Sequence, residues 1–195
     1  MDQTAFAPLA ASLCRAVPLE PASLEALRGI TQMRTFEAEA FLLRGGEQAR
    51  LCYWIASGLV REFYIGEGGT EHIRRFMGAG EITGSLLDLL SGKPAVTFIQ
   101  ALEPVRSLCW ELAAFDQLCA KYADLQLLAR RLIERLYLCK AQREHDMLAL
   151  SARERLACWQ REEAQLDGRV SRRHLASYLG ITPEHLSRLR RGSAT

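Results

Sequence analysis

Glu184, Ser187 and Arg188 have the types and the spacing to read the edges of nucleic-acid bases. At i, i+3 and i+4 they share one face of a helix. A guanidinium can donate two hydrogen bonds to guanine O6 and N7. A carboxylate can accept from cytosine N4, and a hydroxyl can bond a base or a phosphate. A lone acid in a basic segment is costly beside phosphates, which points Glu184 at bases. Around these three stand Arg172, Arg173, Thr182, His185, Arg190 and Arg191. Those six side chains suit phosphate contacts, which position a protein on a duplex without selecting its sequence.

The elements that must hold these residues are legible in SRRHLASYLGITPEHLSRLRR, residues 171–191. Leu175 and Leu179 lie four apart, on one face of a first helix, and Ala176 is small where a second helix must cross. Gly180 supplies the positive φ of a tight turn. Ile181 plugs the turn into the core. Thr182 can cap the second helix, and Pro183 stands at its first position, where no N–H is needed. Leu186 and Leu189 then face the first helix. These offsets are those of a DNA-reading helix-turn-helix. The alternative is a plain helical hairpin.

Charge agrees with that placement. The chain of 195 residues has a net charge of +2, but residues 1–150 carry 16 basic and 18 acidic side chains. Residues 151–195 carry 9 basic and 5 acidic ones. A basic end on a near-neutral body suits a polyanion. The composition, 49% hydrophobic and 25% charged, is that of a soluble globular protein. No apolar run approaches the roughly 20 residues of a membrane span. The N-terminal stretch lacks the positive charge of a secretory signal. A cytoplasmic protein without membrane contact is expected.

Upstream, the pattern changes twice. From about Thr35 to Trp110, short β-like runs such as 52–58, 59–65, 72–77 and 95–102 are separated by glycine or polar turns, the pattern of a sandwich or jelly roll. A short helix precedes them at Ala22 to Ile30. From Phe115 to Met147 there is no glycine and no proline. Leu118, Tyr122, Leu125, Ala129, Leu132, Leu136 and Cys139 alternate steps of four and three, a heptad pattern. Leu128, Ile133 and Leu138 make a second apolar flank. A helix with two such flanks needs two partners: its own β-domain and the same helix of a second chain. Burial within one subunit is the alternative. Ser151 to Glu154 reads as a capping box that opens a new helical unit, with a hinge near 148–151.

Other chemistries find little support. The six cysteines form no Cys-x-x-Cys pair and no zinc spacing, so neither a metal site nor a disulfide framework is expected. A metal-dependent barrel enzyme needs clustered histidines, and His72 is the only one in the β region. A regulatory module acting through a protein partner is the competing non-enzyme reading.

Taken together these residues resemble the Crp/Fnr family of bacterial regulators, from about Leu24 to Arg191. LRGGEQARLCYWIASGLVREFY (43–64) and GTEHIRRFMGAGEITGSL (69–86) are similar to that family's double-stranded β-helix sensor. The resemblance implies an α+β chain in three parts. Residues 1–114 would be a jelly-roll sensor with N-terminal helices, 115–149 a long dimerisation helix with a hinge and 150–195 a winged-helix-like helix-turn-helix domain with a truncated wing. It implies double-stranded DNA and a second copy of the chain as partners, and RNA polymerase as a further one. Glu184-x-x-Ser187-Arg188 is similar to the reading motif of the Fnr branch and implies an inverted repeat with halves close to TTGAT. The same resemblance places an effector pocket at Gly80, Glu81, Thr83, Gly84 and Ser85. Members that bind cyclic AMP have a Glu where Ser85 stands and an Arg-Ser pair where Ala95 and Val96 stand. Cyclic AMP is therefore not expected, and no cofactor is. Nor is there the N-terminal cysteine cluster of oxygen-sensing members.

Overall fold

Alternating side chains between Gln32 and Glu111 let one strand bury two faces at once. In the computed structural model, which describes residues 3–191, Tyr53 and Ile55 point into the interior of a sandwich while Trp54 points out under helices. Two helices come first, α1 (Gln3–Cys14) and α2 (Pro21–Ile30). The strands are β1 (Gln32–Phe36), β2 (Phe41–Leu43), β3 (Leu51–Ser57), β4 (Val60–Ile65), β5 (Glu71–Met77) and β6 (Ile82–Thr83). After the short α3 (Leu86–Ser91) come β7 (Thr97–Ala101) and β8 (Val105–Glu111). They form two antiparallel four-stranded sheets, ordered β1-β8-β3-β6 and β2-β7-β4-β5. Val60, Met77, Ile99, Val105 and Cys109 fill the space between them.

The outer faces are apolar too, and each is covered. On the first sheet, Trp54, Leu108 and Trp110 pack beneath Phe6, Leu9, Leu13 and Val17 of the N-terminal segment and Leu27 of α2. The N-terminal helices that the resemblance implies are thus core elements of the β-domain. On the second sheet, Leu59, Phe63, Ile73 and Phe76 pack beneath the C-terminal helices.

The expected long helix is in fact two, α4 (Leu112–Cys119) and α5 (Ala123–Ala149). Tyr122 is extended between them, at φ −123° and ψ 113°. The break is held by Asp124, whose carboxylate accepts from Glu20 N–H at 2.9 Å, Ser23 Oγ–H at 2.8 Å and Leu125 N–H at 2.9 Å. The new helix starts with these acceptors at its N-terminus, where a negative charge is favoured.

The heptad expectation changes with this break. Leu125 and Leu128 are fully buried in the chain's own core, so Leu125 has no surface left for a partner. Leu118, Tyr122, Ala129 and Leu132 are half-buried against that same core. The periodicity was real, but its first half faces inward, because α1 and the first sheet present apolar side chains to it. The outward apolar residues of α5 are Leu127, Ile133, Tyr137 and Leu138, with Met147 and Leu148 near its end.

Beyond α5 the chain makes α6 (Ala152–Glu162), α7 (Arg172–Leu179) and α8 (Pro183–Arg191). The capping box at Ser151 is formed in both directions. The expected truncated wing after α8 lies outside the described residues, and among the described residues no helix is long and apolar enough to cross a membrane.

Candidate nucleic-acid interface

α7 starts on Ser171, whose hydroxyl accepts the His174 N–H at 3.1 Å. It ends on Gly180, at φ +69°. Ile181 N–H reaches back to Ala176 O at 3.0 Å and Gly180 N–H to Ser177 O at 3.1 Å, the paired closure of a helix that stops at a left-handed glycine. A Cβ at Gly180 would stand 2.7 Å from Met147 Cε of α5, the movable tip of a side chain, so φ rather than space requires this glycine. Thr182 Oγ1 then accepts the His185 N–H at 3.2 Å and starts α8.

Leu186 is 1% exposed and fixes the rotation of α8 against Leu175, Ala176 and Leu179. That rotation leaves Glu184 and Arg188 exposed, with Ser187 half-buried on the same side. The Glu184 carboxyl is held below the usual carboxylate range by its own backbone N–H, the Thr182 hydroxyl and the nearby Arg188. It is thus an acceptor throughout the neutral range.

Arg172 and Arg173 are exposed at the start of α7, and Arg191 at the end of α8. Among the described residues these three make no ion pair, nor does Arg188. Arg190 differs: its Nη2 lies 3.2 Å from Asp167 Oδ1. Thr182 is exposed and His185 half-buried.

The helical unit is tied to the rest of the chain at several points. Ser177 Oγ accepts the Ile73 N–H at 3.0 Å and donates to Glu71 O at 2.7 Å, so one hydroxyl completes the free edge of β5. Phe76, Trp159 and Tyr178 form an aromatic cluster with centroids 5.1 to 5.6 Å apart. Arg143 of α5 stacks over the Tyr178 ring at 4.0 Å and donates to the Tyr178 carbonyl. Arg155 donates to Leu179 O at 3.0 Å, and Arg169 pairs with Glu103. None of these ties was read from sequence. Each joins residues at least 19 positions apart, and no local pattern announces such a pair.

His174 sits in the same contact. Burial, and the neighbouring Arg61 charge, lower its pKa, while Glu71 and Glu39 oppose them and Arg173 adds to them. Glu71 itself is held below the ordinary range chiefly by its hydrogen bonds to Arg61, at 2.5 and 3.2 Å.

The expected effector residues divide. Gly80, Glu81, Thr83 and Gly84 line a cavity of about 260 Å³ between the first sheet, α1, α3 and α5. Leu136 and Cys139, expected at a dimer interface, line it as well. The Thr83 hydroxyl is buried without a hydrogen-bond partner. Ser85 is 2% exposed and turns instead to β7, with its Oγ 2.9 Å from Thr97 Oγ1.

Comparison with known proteins places this arrangement. Residues 33–122 match the cyclic nucleotide-binding domain family. The fumarate and nitrate reduction regulatory protein of Vibrio cholerae is 30% identical over 195 aligned positions, spanning 91% of this chain and 75% of that protein. FixK2 from Bradyrhizobium japonicum superposes with a TM-score of 0.70 at 18% identity, over 84% of each chain. A Crp/Fnr-family putative transcriptional regulator from Eubacterium rectale superposes with a TM-score of 0.72 at 14% identity, over 89% of this chain and 82% of that one.

Proposed function

Because the chain belongs to the Crp/Fnr family of transcriptional regulators, a family of non-enzymes, we propose that it binds an inverted-repeat DNA site as a pair of copies. The observation that carries this reading is the exposed face of α8. Glu184 and Arg188 lie exposed on the side opposite Leu186, and Ser187 is half-buried at the flank of the same face. Arg188 donates to guanine, Glu184 accepts from cytosine, and Ser187 bonds a base or the backbone. Arg172, Arg173 and Arg191 neutralise phosphates, with Thr182 and His185 bonding them at the start of α8. Arg190 joins after exchanging Asp167 for a phosphate.

Pairing runs through the outward face of α5. Ile133, Tyr137, Ala141 and Leu148 follow one another at steps of four, four and seven, a stripe that a second α5 can cover. Two such chains set their α8 helices about one DNA turn apart, roughly 34 Å, in successive major grooves. An effector, where one acts, enters the cavity between the β-domain and α5. It works by favouring one placement of the C-terminal helices over another.

Selection of bound sequences from a random duplex pool by the purified protein tests this. A two-fold symmetric site with TTGAT-like halves is expected. Recovery of no consensus, or of a single unrepeated half, overturns the reading.

A further inference from the structure

Asp88 lies in the first turn of α3 and is 2% exposed. Its carboxylate points to the start of β7. Oδ1 accepts the Val96 N–H at 3.1 Å and Oδ2 the Thr97 N–H at 3.2 Å. Ser85 Oγ accepts the Asp88 N–H at 3.4 Å and lies 2.9 Å from the Thr97 hydroxyl. Among the described residues Asp88 makes no ion pair. A buried carboxylate without a cation is expensive unless donors meet it. Here the successive backbone N–H groups of Val96 and Thr97 do so, with the Ser85 and Thr97 hydroxyls beside them, an arrangement that favours any small anion. Burial pushes the carboxyl up, but the Thr97 hydroxyl, the Val96 N–H, the Ser85 hydroxyl and the Thr97 N–H together hold it below the ordinary range.

The neighbourhood has no place for a second negative charge. Ala95 is 4% exposed, and neither it nor Val96 brings a cation. Both N–H groups that could meet an incoming anion are already taken by Asp88.

We propose that Asp88 is a built-in anion, filling the cradle formed by Ser85, Val96 and Thr97 and closing the loop between α3 and β7 without a ligand. The cradle therefore takes no phosphate-bearing small molecule, and any signal enters this β-domain elsewhere. This inference does not rest on the DNA-binding reading.

Asp88→Ala removes the anion and leaves its donors. Thermal unfolding of the full chain is followed in sodium chloride and in sodium formate at equal ionic strength. The variant is expected to melt below the wild type in chloride and to recover most of the loss in formate. The wild type melts at one temperature in both salts, and cyclic AMP does not raise it. Equal melting of variant and wild type in chloride overturns the proposal. So does formate that raises both alike, or cyclic AMP that stabilises the wild type. Should Asp88→Ala not fold, Asp88→Asn keeps the shape but can accept through one oxygen only. Amide exchange at Val96 or Thr97 is then expected to speed up by at least about tenfold. Unchanged protection at both overturns the proposal.

Discussion

α8 and α5 each bury one face and expose another, yet sequence reading oriented the first correctly and set Leu125 of the second on the wrong face. In α8 only Leu186 and Leu189 are apolar after the first turn, so just one rotation can bury them. α5 has apolar residues on several sides. Two different stripes satisfy a helical period there, and nothing local says which belongs to the chain's own core. Leu125 went inward because α1, α2 and the first sheet meet it. The lesson is that hydrophobic periodicity orients a helix only when the rest of its surface is polar.

The largest effects test the division of α5. Leu125→Ala should cost about 2–5 kcal/mol of folding stability, as for other fully buried leucines. Ile133→Ala, at an exposed position, should change folding of the single chain by no more than about 0.5 kcal/mol. Denaturant unfolding measures both, and sedimentation reads the pairing. Leu125→Ala dissociating a pair without lost stability would reverse the assignment, while Tyr137→Asp is expected to dissociate it with folding intact.

The next effect sharpens the other side. Arg188→Ala should weaken binding to the selected site by about 1–3 kcal/mol, the worth of one bidentate base contact. Binding to unrelated duplex should fall much less. Equal losses on both sequences would make Arg188 a phosphate contact, and α8 no better oriented by its sequence than α5.

Arg172→Ala and Arg173→Ala act more weakly. Each should make the slope of log K against log salt shallower by about 0.9 and lower affinity on all sequences alike. A change confined to one sequence would move them into the base-reading group.

Smallest is the effect of pH on the contact between α7 and β5. His174 has a lowered pKa in the folded chain, so the unfolded chain binds more protons below its ordinary value of about 6.5. Stability therefore falls as pH drops below that value and levels off beneath the folded one. Glu71, held low chiefly by Arg61, adds a second loss at more acid pH. His174→Gln should flatten the first limb alone, in melts run across pH 4 to 7. An unchanged limb would remove His174 from the contact.

Much of the candidate interface was legible because its logic is local. Ser171, Gly180, Thr182 and Pro183 act on backbone groups within a few residues of themselves. Four of the β-like runs also correspond to strands, β3, β4, β5 and β7, since alternation survives even when both faces are covered. The two short strands, β2 and β6, were not read, and α1 was expected only from the family resemblance. Three or two residues carry no period, and the small apolar residues of α1 suit several roles.

Sequence alone determined the order of the β-rich, long-helical and helix-turn-helix regions, the polarity of the helix-turn-helix and the outward direction of Glu184 and Arg188 on α8. Those depend on charges, caps and spacings that neighbouring residues supply. Only the tertiary structure decided that Leu125 faces the core, that Ser177 closes the edge of β5 and that Asp88 fills a cradle at β7. Those outcomes depend on which surfaces meet, and competition between several apolar or polar partners is settled only when the chain packs.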